Sequence, residues 1–161
     1  MMDTLNILLV DDDQNLATTL SHGLRKALGK ANSIIFCSSG PEAIALLATQ
    51  PFDVVISDFN MPGLSGLDLL KKIRQDHAET SLVLITAFGT ETLEEEVNRL
   101  GFGYITKPFE MPILLQSIQG LIQNKATREG TKDAAHVSVL ERKVGPSQSL
   151  LRTSSFSELQ D

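Results

Sequence analysis

The chain has 161 residues, 42% of them apolar and 21% charged, enough for one compact domain with a sizeable core and some chain to spare. No apolar run is long enough to cross a bilayer, the start MMDTLNILLVDDD lacks the pattern of a secretory signal, and a single cysteine, Cys37, excludes an internal disulfide; a cytoplasmic protein without membrane association is expected. The net charge of −6 is split as 8 Lys/Arg against 15 Asp/Glu in residues 1–123 and 6 against 5 in residues 124–161, and so acidic a body argues against direct nucleic-acid binding.

In chain order, the apolar run Asn6–Val10 comes first, followed by Leu16, Leu20, Leu24 and Leu28 repeating at i+4. Ile34–Cys37 is the second run, with Cys37 packed in it as a small hydrophobe. After Pro41, near a helix start, Ile44, Leu47 and Ala48 form the next stripe. Val54–Ile56 precedes a stripe of Leu67, Leu70 and Ile73. Leu82–Ile85 precedes Leu93, Val97 and Leu100. Tyr104-Ile105 precedes Leu114, Ile118, Leu121 and Ile122, with Pro112 tolerated in the first turn.

The short runs are rich in β-branched residues and mostly lack polar alternation, as strands covered on both faces do. Five alternations of strand and helix over the first 123 residues predict an α/β fold: a doubly wound parallel sheet with helices on both faces. Residues 124–161 are polar and rich in Ser and Thr, which predicts a flexible C-terminal extension with room for a short helix over Val137–Val144 or near Leu150. At that length it is too short for an ordinary independent output domain.

The polar residues fall at the strand ends. The first strand runs into Asp11-Asp12-Asp13, the third into Ser57-Asp58, the fourth into Thr86, and the fifth into Thr106-Lys107-Pro108. In an open parallel sheet these ends share one edge, where ligands bind, and the strand order 2-1-3-4-5 makes the first and third strands neighbours. Two carboxylates about 4 Å apart repel by roughly 4 kcal/mol at an effective dielectric of about 20, so such a cluster takes up protons or holds a cation. All the donors are hard oxygens, which favours Mg²⁺ or Mn²⁺ over zinc or copper. With Lys107 as a point charge for further anionic oxygens, the pairing points to phosphoryl chemistry. Asp13 is expected to cap the first helix rather than add a ligand. Glu91, Glu94, Glu95 and Glu96 are expected to form a solvated acidic face at a helix start.

From Thr4 to Gln123 the chain resembles the receiver domain of two-component response regulators, a CheY-like superfamily. The resemblance is carried by LLVDDD, SDFNMPGLSG, LITAFG and YITKPF, in that order. It implies that Asp11, Asp12, Asp58 and the backbone carbonyl of Asn60 bind Mg²⁺, and that Asp58 accepts phosphate from a sensor histidine kinase or histidine phosphotransfer protein. It gives Lys107 a stabilising role, Thr86 the switch hydroxyl and Tyr104 the switch aromatic, and it favours a cis Lys107-Pro108 bond. The switched face, made by the fourth helix, fifth strand and fifth helix, would signal to a downstream protein. Such a chain is a phosphoacceptor rather than an enzyme acting on other molecules. From Thr86 to Lys107 it is one residue shorter than the family pattern. Two other readings are the receiver portion of a transcriptional regulator whose output domain is absent, which a helix-turn-helix after residue 124 would have supported and none is recognisable there, and an unphosphorylated scaffold, against which the set of Asp12, Asp58, Thr86 and Lys107 argues. A haloacid dehalogenase would want an acid where this chain has Asn60.

Overall fold

The computed structural model describes residues 4–30 and 32–130. Five strands alternate with five helices: β1 Asn6–Val10, α1 Gln14–Leu28, β2 Ser33–Cys37, α2 Gly40–Thr49, β3 Val54–Asp58, α3 Gly66–Asp76, β4 Ser81–Thr86, α4 Glu91–Arg99, β5 Gly103–Thr106 and α5, which starts at residue 111. All strand pairs are parallel and their order is β2-β1-β3-β4-β5.

Both faces of the sheet are covered, which is why the strands read as unbroken apolar runs. Ile7, Leu9, Val54 and Ile56 pack with Leu20 and Leu24 of α1 and Leu114 and Ile118 of α5. Leu8, Val10, Val55 and Leu84 serve the opposite face, with Leu47 of α2, Leu70 of α3 and Val97 of α4. Each of the first four helices begins on a side-chain cap in the loop that follows a strand: Asp13, Ser39, Ser65 and Thr90 accept backbone N–H groups of the first turn. Each cap contributes about 1 kcal/mol and fixes where the chain turns away from the sheet edge.

The α2 face differs from the expected one. Ala43 and Leu47 are buried, whereas Ile44 is 41% exposed and Ala48 is exposed. The segment GPEAIALLAT is apolar nearly all round, so spacing alone does not choose its inner face. Leu100 also lies at the surface, 37% exposed, because α4 has ended before it. Cys37 is buried, and its thiol is pushed up to about 12, first by burial and then by the charge of Glu42.

The chain divides into two units, Met1–Ile122 and Gln123–Asp161. Of the second, residues 123–130 are described, and they are helical. The sequence places 124–130 in the polar extension; Gln123, Lys125, Ala126, Arg128 and Glu129 are good helix formers, and neither Gly nor Pro interrupts residues 123–129. The rest of that extension, including Val137–Val144 and Leu150, lies outside the described residues.

Candidate functional site

Strand register brings the acidic residues together. Val10 pairs with Ser57 and Asp58 with Ile85, so Asp11 follows β1 beside the end of β3. One carboxylate oxygen each from Asp11, Asp12 and Asp58 lie within 4.8 Å of one another. Asp11 and Asp58 are buried, 6% and 8% exposed, while Asp12 is exposed. Lys107, delivered by the end of β5, donates from Nζ to Asp58 Oδ1 at 2.8 Å and stands 3.9 Å from Asp11 Oδ2.

The other Asp11 oxygen accepts the Asp13 backbone N–H at 2.9 Å. Asp13 caps α1 through Asn15 and Leu16, as its position suggests, and so sets the acidic turn without sharing its chemistry. Beneath the carboxylates is a small void lined by Leu9, Ala17, Leu20, Ile56 and Ile85. Over this apolar floor the Asp11 carboxyl is raised above its ordinary value, chiefly by burial. The Asp13 N–H opposes the shift, the Asp58 charge adds to it, Lys107 opposes it, and Asp12 adds a smaller push.

Three carboxylates face one ammonium, an excess of negative charge that a divalent cation would balance. The donors are all oxygen, in the small number that Mg²⁺ takes from protein while keeping places for water and phosphate oxygens. The residues present fit that ion. Asn60, the further expected ligand through its carbonyl, lies exposed in the β3–α3 loop, two residues beyond Asp58.

Thr86 ends β4, one residue beyond the register partner of Asp58, and is fully buried. Its Oγ1 accepts the Phe88 backbone N–H at 3.1 Å, and its carbonyl accepts the Lys107 backbone N–H at 2.7 Å. The site's hydroxyl thus holds the β4–α4 loop with its side chain and the lysine's backbone with its main chain. The Lys107–Pro108 peptide is cis. Tyr104 pairs in register with Leu84, two residues before Thr86, which puts Tyr104 and Thr86 on the same face of the sheet. Gly101, between α4 and β5, has a φ of +75° that few other residues adopt. The Tyr104 phenol is raised above its ordinary value, by burial first and then by Glu94, against a hydrogen bond from the Thr90 backbone.

Of the four glutamates at the α4 start, Glu91, Glu94 and Glu95 are exposed. Glu96 instead pairs with Lys71 of α3 at 2.6 Å. Two glycines with no assigned role from sequence border the site. A Cβ on Gly66 would stand 2.0 Å from the Asp58 carbonyl oxygen, and one on Gly89 would stand 2.4 Å from Tyr104 Oη. Their only sequence signal is position, directly after the Ser65 cap and directly before the Thr90 cap.

Comparison with known proteins agrees with this geometry. The family described as response regulator receiver domain matches residues 7–119. The transcriptional regulatory protein QseB of Haemophilus influenzae is 33% identical over 124 residues, which are 75% of this chain and 54% of that protein. The response regulator protein FleR of Pseudomonas aeruginosa is 38% identical over 113 residues, 70% of this chain and 23% of FleR. The crystal structure of the Vibrio cholerae chemotaxis protein CheY4 superposes with a TM-score of 0.66 at 28% identity, covering 74% of this chain and 99% of that one. The chain spans about half the length of curated relatives such as QseB and the Bacillus subtilis protein YkoG.

Proposed function

This chain belongs to the response regulator receiver family, and from that premise we propose that Asp58 is its phosphoacceptor in a cytoplasmic phosphorelay. The observation that carries the reading is the Lys107 ammonium at 2.8 Å from Asp58 Oδ1, inside a cluster completed by Asp11 and Asp12. We assign residues 1–123 to the receiver and 124–161 to an extension. The phosphoryl donor is a phosphohistidine on a sensor kinase or a histidine phosphotransfer protein.

An Asp58 carboxylate oxygen attacks phosphorus; the O–P bond forms as the P–N bond breaks, the imidazole leaves with that electron pair, and an acyl phosphate results. Lys107 stays protonated and passes its hydrogen bond from Oδ1 to an oxygen of the arriving group. Asp11, Asp12, Asp58 and the Asn60 carbonyl would hold Mg²⁺ or Mn²⁺, which would supply neutralisation of charge on the phosphoryl oxygens. Thr86, whose Oγ1 now accepts from Phe88 N–H, turns its hydroxyl to a phosphoryl oxygen, and Tyr104 moves in behind it. This changes the face formed by α4, β5 and α5, a local charge event that biases a two-state element. That face carries Glu94, Glu110, Phe109 and a half-exposed Ile113, so the downstream protein it suits is basic and partly apolar.

Incubation of the full chain with acetyl phosphate and Mg²⁺, followed by intact mass, tests the reading. One phosphoryl adduct is expected, and its absence under conditions that label another receiver refutes it. A second reading draws support from the relatives: the matched part of QseB is about half of a transcriptional regulatory protein, and this receiver would then control a DNA-binding output on the same polypeptide.

Two further outcomes are expected. Mg²⁺ at ten times its Kd stabilises a protein that binds it only when folded by about 1.4 kcal/mol, a rise of roughly 3–6 °C in Tm for a domain of this size. Thermal unfolding with and without Mg²⁺ should show that rise, and Asp12→Ala should lose most of it; an equal rise in the variant would remove Asp12 from the metal site. Phe88 is 77% exposed directly beyond the Thr86 hydroxyl, where it shields an acyl phosphate from water. Phe88→Ser should shorten the phosphoryl half-life about threefold, less than 1 kcal/mol in barrier. An unchanged decay rate disposes of the shield.

A further inference from the structure

Gly89 lies in the β4–α4 loop, is exposed, and does not share the positive φ that Gly29, Gly63 and Gly101 have among the described residues. Its backbone is therefore one that any residue adopts, and no core packing requires a glycine there. What a side chain would meet is specific. A Cβ at 89 would stand 2.4 Å from Tyr104 Oη, 3.5 Å from Tyr104 Cζ and 2.7 Å from Thr106 Cγ2. Real Cβ atoms do not approach other atoms that closely, so the tip of the Tyr104 ring occupies space that only glycine leaves open.

We propose that the missing side chain at Gly89 is the seat of Tyr104, making Gly89 the positioning residue that sets where the switch aromatic rests before phosphorylation. This rests on the reading of Tyr104 as the switch residue. A methyl group at 89 pushes the ring off the loop and presses on Thr106, which pairs with Thr86 and adjoins Lys107. The Tyr104 ring also lines a groove of about 720 Å³ with Glu94, Thr106, Phe109 and Ile113, so its displacement reshapes the face offered to a partner. Gly89 in this way couples an exposed loop position to the switch and to the output groove.

The chain has one tyrosine and no tryptophan, so the tyrosine emission and phenolate absorbance of the whole protein report Tyr104 alone. In Gly89→Ala, phenol titration is expected to move down toward the ordinary value of about 10, acrylamide quenching to rise, and the emission change on adding acetyl phosphate and Mg²⁺ to shrink. Tyr104→Phe removes Oη, the atom nearest the added methyl, leaving a ring carbon at 3.5 Å. The fall in urea midpoint caused by Gly89→Ala is therefore expected to shrink in the Tyr104→Phe background. If Gly89→Ala alone does not fold, the variant that adds Tyr104→Phe and Thr106→Ser, which removes the Cγ2 at 2.7 Å as well, must fold, and its failure to do so overturns the seat. The titration and quenching arms need no phosphorylation, which separates the two proposals. A displaced Tyr104 with no phosphoryl adduct on the wild type rejects the phosphoacceptor reading and upholds the seat. An adduct with unchanged titration and quenching in Gly89→Ala overturns the seat and leaves the phosphoacceptor standing.

Discussion

Asp58→Asn is expected to remain folded while phosphoryl incorporation from acetyl phosphate falls to background, a loss of at least about a thousandfold, or roughly 4 kcal/mol in barrier. Asparagine has nearly the same shape, and its amide oxygen can still accept from Lys107 Nζ, which now sits 2.8 Å from Oδ1. What it lacks is an anionic oxygen that can form an acyl phosphate. Two opposed effects act on stability. The hydrogen bond from Lys107 keeps its charged donor but loses its charged acceptor, a loss of about 1 kcal/mol. Against this, one of three clustered like charges disappears, and carboxylates about 4 Å apart repel by roughly 4 kcal/mol at an effective dielectric of about 20. The unfolding midpoint without Mg²⁺ should therefore not fall, and the stabilisation by Mg²⁺ should weaken with the lost ligand. Intact mass and urea denaturation on the same preparation check both halves. An adduct persisting at full level would move the nucleophile elsewhere, with Asp11 and Asp12 the first positions to map.

Gly66→Ala is expected to destabilise the fold by about 3 kcal/mol or more, the upper range for overpacking. The added Cβ would lie 2.0 Å from the Asp58 carbonyl oxygen, 2.8 Å from its carbonyl carbon and 3.0 Å from Phe59 Cα. All three are backbone atoms, of Asp58 at the end of β3 and of Phe59 directly after it, and β3 is hydrogen-bonded on both sides. No rotamer change relieves the contact; either α3 withdraws or the end of β3 shifts, and the acidic site shifts with it. Two other glycines serve as controls. At Gly40 the added carbon meets Leu64 Cδ2, the tip of a side chain, at 2.9 Å, so the cost should be about 1 kcal/mol. At Gly120, helical and with nothing within 4 Å, alanine should stabilise by about 0.5–1 kcal/mol. Urea unfolding of the three variants orders them, and a Gly66→Ala midpoint equal to that of Gly120→Ala would show that the helix start yields freely.

The places where sequence was insufficient share one cause. On α2 the apolar residues surround the helix, so the choice of Ala43 and Leu47 over Ile44 is made by the sheet it lies on. Glu96 reads as one of four solvated acids until α3 brings Lys71 beside it. Gly66 and Gly89 carry no side chain to read; their roles exist only because Asp58 and Tyr104, distant or across a loop, arrive within van der Waals distance.

By itself, the sequence determined the alternation of strand and helix, the two-faced burial of the sheet, the Asp13 cap that opens the first helix, and the chemical identity of the groups brought to the sheet edge. Those follow from local periodicity and residue type, which chain order preserves. Tertiary structure alone decided which helix face turns inward, which acid finds a cation, and which glycines stand where no carbon fits. Such matters depend on close approach between segments far apart in the chain, and close-packed interiors resolve them at distances finer than any sequence pattern records.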